Sequence, residues 1–257
     1  MEFIDTHTHL FASEFDEDIH HVIKDAVKHG VSKMLLPNID SSTTNKMLKL
    51  SQLFPKNCFP MIGLHPCSVQ QSSLEKEIEH VTKMLDKHHF VAIGEIGIDL
   101  YWDKSTIEFQ KQAFEAQINL AKKHQLPIVI HVRNSFKEAI EIVEKLNDEK
   151  LSGVFHCFTG NLEEAQRIIN LDNFYLGIGG VITFKNGGID KIIDQINLDN
   201  IILETDSPYL APKPFRGKRN ESKYILNIAQ KLSEIYNIDI KQIADHTTRN
   251  AKKLFKL

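Results

Sequence analysis

Apolar residues fall along the chain in two alternating rhythms. Short continuous apolar runs alternate with longer stretches in which apolar residues return every three or four positions. Phe3–Ile4 opens as a short strand. Asp16–His29 reads as a helix, with Ile19, Val22, Ile23, Ala26 and Val27 on one face and Gly30 where a helix-terminating glycine belongs. Lys33–Leu36 is the second strand and Ser42–Phe54 its helix. Cys58–Leu64 is the third strand, followed by the helix Leu74–His88 with Leu74, Ile78, Val81 and Leu85 on one side. Phe90–Ile93 pairs with the long helix Thr106–His124. Ile128–Val132, behind Pro127, precedes the helix Ser135–Leu146, and Gly153–Phe155 precedes Leu162–Leu171. Phe174–Ile178 leads to a helix from about Gly188 to Ile196, and Ile201–Leu203 is the last strand. The helices Glu221–Tyr236 and Ile240–Phe255 close the chain.

Eight strand-then-helix units in an unbroken series predict a parallel sheet with crossover helices. Eight is the number that closes a (β/α)8 barrel, an α/β TIM barrel. No repeat, low-complexity tract or shift of composition divides the chain, so residues 1–257 read as one domain. The structural rival is a doubly wound open sheet. Such a fold would carry Gly-x-Gly-x-x-Gly after its first strand, and this chain does not. Gly177, Gly179 and Gly180 come late and close together, as in a tight strand-to-loop turn.

Composition narrows the partners. The 257 residues hold 31 Lys+Arg against 34 Asp+Glu, a formal charge of −3, with 42% hydrophobic residues. That balance excludes a disordered chain and a chain-wide basic field, so any nucleic acid must be held by a local patch. The opening MEFIDTHTHL has no basic segment before a long apolar run, so no secretion signal is expected. No apolar run is long enough to span a bilayer. Cys58, Cys67 and Cys157 are odd in number and lack metal-finger spacing, which predicts free thiols in the cytoplasm. With no apolar surface stripe, a monomer is expected.

Thirteen histidines are many for this length, and their placement carries the chemistry. His20, His21, His29, His80, His88, His89, His124 and His246 fall on helices or helix ends, as surface residues do. His7, His9, His65, His131 and His156 each follow an apolar run, at the strand ends that share one face of a barrel. Glu95 and Asp206 join them at two further strand ends. Charged groups gathered there must pair or coordinate a metal. His7 and His9, two apart, project the same way and can grip one ion. Asp5 shares that face but reads as a structural or supporting group. Imidazoles and carboxylates together suit Zn, Mn or Fe, and carboxylates also Mg. His7, His9, Glu95, His131, His156 and Asp206 exceed one four-coordinate site, and two ions bridged by a carboxylate fit them better.

The ordered motifs resemble a known family. Thr6-His7-Thr8-His9-Leu10, Gly63-Leu64-His65-Pro66, Gly94-Glu95-Ile96-Gly97-Ile98-Asp99, His131-Val132-Arg133, His156-Cys157-Phe158-Thr159-Gly160 and Glu204-Thr205-Asp206-Ser207-Pro208-Tyr209-Leu210 look like the signatures of TatD-type metal-dependent deoxyribonucleases. These belong to the metal-dependent hydrolase (amidohydrolase) superfamily. The resemblance runs through the whole chain and includes Gly179–Lys185 and Pro214–Glu221. It implies a (β/α)8 barrel with two divalent ions (Mg2+, Mn2+ or Zn2+). His7, His9, Glu95 and Asp206 would hold one, and Glu95, His131 and His156 the other. The chain departs from the family pattern at Cys67, Asn134 and Ser222, none of them an expected ligand.

The resemblance implies hydrolysis of DNA phosphodiester bonds, as a 3'-5' exonuclease on single strands. Asp206 would orient the attacking water and take its proton, with Glu95 as bridge and His65 on the phosphate or assisting proton transfer. Arg133 shares the His131 side of its strand and could clamp phosphate. Asp99 could orient a ligand or pair with a cation. Lys185, Arg216, Lys218 and Arg219 form a local basic rim for a DNA backbone, and Tyr101, Trp102 and Phe184 could stack on bases. Two rival readings are a superfamily hydrolase of a small phosphoester, amide or lactone, and a barrel that binds nucleic acid without catalysis.

Overall fold

A computed structural model describes residues 1–257. In chain order the strands are β1 (Phe3–Asp5), β2 (Val31–Leu36), β3 (Cys58–Pro60), β4 (Ile93–Asp99), β5 (Ile128–Arg133), β6 (Gly153–Phe155), β7 (Phe174–Ile178) and β8 (Ile201–Leu203). Between and after them lie α1 (Ile19–Lys28), α2 (Ser41–Leu53), α3 (Leu74–Leu85), α4 (Ile107–His124), α5 (Phe136–Leu146), α6 (Leu162–Ile169), α7 (Ile225–Tyr236) and α8 (Ile240–Phe255).

All pairings are parallel, in the orders β1-β2-β3 and β4 through β8. Two seams join these arcs. Thr8 bridges to Ser207, with the Thr6 amide donating to Leu203 O at 3.1 Å and His9 to Ser207 O at 2.7 Å. Ile62 bridges to Ile93, with the Gly94 amide donating to Ile62 O at 2.9 Å. The strands therefore close on themselves as a (β/α)8 barrel.

The core has two layers because strand residues alternate in direction. Ile4, Leu35, Met61, Ala92, Val129, Val154, Tyr175 and Ile202, one from each strand or its edge, pack together inside the barrel. Ala251, Leu254 and Phe255 of α8 join the same cluster and close its floor. The residues between them face outward and meet the helices in a cluster of 50 buried side chains. Each fully buried aliphatic or aromatic chain contributes about 1.5–3 kcal/mol.

Three expected boundaries differ. The run Cys58–Leu64 serves two neighbours: Cys58–Pro60 pairs with β2, and Ile62 with β4. The fourth strand continues past Ile93 to Asp99, through a register shift between Ile93 and Ile96. Gly97 makes that continuation possible, since its φ is 138° and a Cβ there would lie 2.1 Å from His131 O. Residues 188–196 form short 3-10 turns, Ile189–Lys191 and Ile193–Gln195, instead of one helix. Ile189, Ile193 and Ile196 are buried with helical spacing, but Ile192 breaks the turn at φ −125°. The Tyr236 hydroxyl sits between the carbonyl oxygens of Ile193 and Ile196. No helix is long and apolar enough to cross a membrane.

Candidate metal centre

Alternation carries the barrel interior into its mouth. Two residues beyond the inward Val129, Val154 and Ile202 come His131, His156 and Glu204. Beyond β1, His7 stacks on His156 with ring centroids 3.7 Å apart and planes within 10°. Beyond β8, Asp206 takes a left-handed φ of 58° and its amide donates to His7 O at 2.9 Å.

These side chains converge on Glu95, which is 2% exposed. Its Oε2 lies 3.1 Å from His7 Nε2 and 3.5 Å from His9 Nε2. The same two nitrogens lie 3.8 and 3.6 Å from Asp206 Oδ1. Its Oε1 faces other partners: His131 Nδ1 at 2.7 Å, His156 Nε2 at 3.1 Å and His65 Nε2 at 3.3 Å. Ligands about 2.1 Å from a common ion stand about 3.0 Å apart on an octahedral edge and about 3.4 Å on a tetrahedral one. The spacings cluster around those edges, and the donors are the nitrogen and carboxylate oxygens that borderline divalent metals take. The ligand atoms of His7, His9 and Glu95, of His7, His156 and Asp206, and of His65, Glu95 and His131 lie within 4.8 Å of one another in each group. The residues fit a divalent metal.

The rings are held from behind. Asp99 Oδ2 lies 2.9 Å from His131 Nε2, which leaves Nδ1 facing Glu95. Asp99 Oδ1 accepts the amides of Tyr101 and Trp102 at 2.9 and 3.2 Å. Against the cost of burial, the His131 ring and these amides hold the Asp99 carboxyl well below its ordinary range. Glu204 Oε1 lies 3.2 Å from His156 Nδ1 and accepts the Cys157 amide, which turns Nε2 of that ring to Glu95. A Cβ on Gly177 would lie 2.4 Å from Glu204 Oε2, so the neighbouring strand must be bare there. In the sequence Glu204 stands out only as the first residue of the motif Glu204–Leu210. The available signal was its position two residues beyond an inward isoleucine.

Electrostatics separate the rings. Burial lowers His131 and His156, but Asp99 and Glu95 overcome it at His131, and Glu95 and Glu204 at His156, so both lie above the ordinary value. Burial holds His7 and His65 below it. His65 Nδ1 accepts the Cys67 amide at 3.0 Å, so the neutral ring carries its proton on Nε2, pointing at the centre. Burial pushes the Asp206 carboxyl up to about 6. Asp5 is not at the centre: its carboxylate accepts the Thr205 amide at 2.9 Å and hydroxyl at 2.6 Å, tying β1 to the end of β8.

The centre floors a cavity of about 650 Å³. Cys67 and Cys157 line it; burial, with the neighbouring carboxylates, pushes Cys67 up to about 12 and Cys157 well above its ordinary value. Arg133 stands on the wall with its guanidinium 3.7 Å from the Tyr101 ring centre and no carboxylate within ion-pair reach. Arg216 lies 3.8 Å over Phe184, and with Lys185 and Lys213 lines an adjoining hollow. Lys218 is exposed on the same loop. Arg219 is committed elsewhere, gripping both oxygens of Asp18 at 2.8 and 2.7 Å and Glu221 at 3.0 Å. Asn134 turns out of β5 with φ 56°, and Ser222 is buried 3.5 Å from the Thr8 hydroxyl.

A parallel barrel with histidines and carboxylates converging at the C-terminal ends of its strands defines the class of metal-dependent hydrolases. The TatD-related DNase family matches residues 4–256, and the chain belongs to it. It is 37% identical to an uncharacterized metal-dependent hydrolase, YabD, of Bacillus subtilis, over 98% of each chain. It is 30% identical to the 3'-5' ssDNA/RNA exonuclease TatD of Pectobacterium carotovorum, over 98% of this chain and 99% of that one. The crystal structure of YjjV, a TatD homologue from Escherichia coli, superposes with a TM-score of 0.90 at 28% identity, covering 99% and 98% of the two chains.

Proposed function

We propose that this protein is a phosphodiesterase that removes nucleotides from the 3' end of single-stranded DNA, using two divalent cations that share Glu95. The carrying observation is that the two oxygens of Glu95 face different nitrogens, His7 and His9 on one side, His131 and His156 on the other. In this reading His7, His9, Glu95 and Asp206 hold one cation, and Glu95, His131 and His156 the other. Bound Mg2+, Mn2+ or Zn2+ supplies positive charge against the phosphate and lowers the pKa of water at the centre towards about 7.

The chain's own groups do the rest. Asp206 Oδ1 stands 3.8 and 3.6 Å from the ring nitrogens of His7 and His9, so in this reading it orients the attacking water and accepts its proton. His65 donates its Nε2 proton in a hydrogen bond to a phosphate oxygen. Arg133 contributes a fixed cation on the cavity wall. Asp99 acts through His131 and the loop it anchors, rather than on the substrate. Lys185, Arg216 and Lys218 take the strand backbone, and Arg219 shapes that loop through its ion pairs. The unpaired cations around the cavity favour a polyanion over a small amide or lactone, which would leave them without a task. We place the enzyme in the cytoplasm as a monomer, with residues 1–257 acting as one unit.

The test is digestion of a single-stranded oligonucleotide labelled at either end, with each metal and with chelator. The expected result is metal-dependent loss of 3' nucleotides, abolished in Asp206→Asn. Intact oligonucleotide with every metal, or unchanged activity in the variant, overturns the proposal.

A further inference from the structure

Beside the central cavity lies a second one of about 780 Å³, within the range of about 300–1,000 Å³ that suits small organic ligands. The metal centre uses none of it. The wall between the two is built by Trp102 and Arg133 on the central side and Tyr101 and Arg133 on the other. Trp102 is 70% exposed and Tyr101 52%, and the rings meet edge-to-face with centroids 4.9 Å apart. Large aromatic rings left in water gain nothing for the fold. The backbone that carries them is nonetheless held, because Asp99 accepts both of their amides. The other oxygen of that carboxylate sits on His131, so one side chain ties the backbone bearing the rings to the centre. Arg133 lies over the Tyr101 ring and 5.4 Å from that of Trp102, a free cation flanked by π faces.

We propose that this wall is a base-stacking subsite: the nucleotide next to the scissile phosphate places its base against Trp102 and Tyr101 and its phosphate on Arg133. The inference rests on the nuclease reading of the centre and names what selects its substrate. Every base has a π face, so the subsite accepts any sequence. A base already stacked within a duplex cannot enter it, so the same wall selects single strands. Asn134, Thr159 and Lys191 offer polar contacts elsewhere on the lining of that cavity.

Trp102 is the only tryptophan of the chain, so its fluorescence reports the subsite alone. The Mg2+-loaded protein is titrated with a short phosphorothioate oligothymidylate, an abasic oligonucleotide of equal length, and a blunt duplex. Quenching by the oligothymidylate alone is expected. Absence of quenching, or equal quenching by the abasic strand, overturns the inference. By anisotropy of labelled strands, the preference for bases over abasic sites is expected to fall about tenfold in Trp102→Ala and to survive in Trp102→Phe. An unchanged preference in Trp102→Ala also overturns it. Cleavage of unmodified DNA judges the nuclease reading separately. Cleavage with an unchanged preference sinks the subsite alone, and quenching without cleavage sinks the nuclease reading alone.

Discussion

The floor and the mouth of the barrel are made by the same strands, two residues apart, and they solve opposite problems. On the floor, Val129, Val154 and Ile202 meet Phe255 and Leu254 of α8 and exclude water. In the mouth, His131, His156 and Glu204 continue the same inward rows, and burial there works against charge. His7 Nδ1, His9 Nδ1 and Glu204 Oε2 are buried in the mouth without a hydrogen-bond partner, a cost that the wholly apolar cluster on the floor does not carry. The comparison teaches that the period of a strand can separate stability from chemistry over two residues. It follows that substitutions in the two regions should fail in different ways.

The largest effect belongs to the mouth. Glu95→Gln is expected to lower hydrolysis by about a thousandfold or more, because it removes the group between both nitrogen sets. The same variant should lose the rise in melting temperature that added metal gives the parent (about 2.7 kcal/mol at a hundredfold excess over Kd). Next comes the floor. Phe255→Ala should cost about 3–5 kcal/mol in denaturant unfolding, with metal content and KM at low temperature unchanged. If Phe255→Ala also stripped the metal, the two regions would not be separable as argued. Glu204→Gln is expected to weaken metal binding about 10–100-fold by calorimetry while leaving denaturant stability close to the parent's.

The smallest effect is a difference of sign with pH. His131 and His156 lie above their ordinary value in the metal-free fold. A raised group stabilises fully below its unfolded value, near 6.5, and loses that contribution as pH rises through the folded one. The metal-free protein should therefore lose stability as pH rises above about 6.5. Metal must displace the same protons, so metal affinity should rise over the same range. Parallel slopes for metal-free stability and metal affinity would contradict the assignment of these two rings.

Much of this was legible in the chain. The strands announce themselves by apolar runs. The period of two then fixes where His131 and His156 point and keeps His7 and His9 on one side, whereas Glu95, three residues beyond the inward Ala92, reaches the centre only through the register shift of β4. What stayed hidden depends on distant partners or on backbone that apolar patterning does not record. Gly94 and Gly97 interrupt the run of β4, so its continuation to Asp99 is invisible to apolar patterning, although the bare positions are what let β5 approach. Ile189, Ile193 and Ile196 have helical spacing but are buried by separate turns. Arg219 looks like part of a basic rim until its partner Asp18, 201 positions away, is brought alongside. The roles of Asp99 and Glu204 are visible only once each carboxylate is seen behind its histidine.

The central claim is that one carboxylate joins two cations. Electron paramagnetic resonance of the Mn2+-loaded protein tests it most directly, since ions about 3.5–4 Å apart across a shared carboxylate couple magnetically. A coupled spectrum at two Mn2+ per chain, lost in Glu95→Gln, is the predicted result. The simple six-line spectrum of isolated Mn2+, or a coupled spectrum that survives Glu95→Gln, would contradict it.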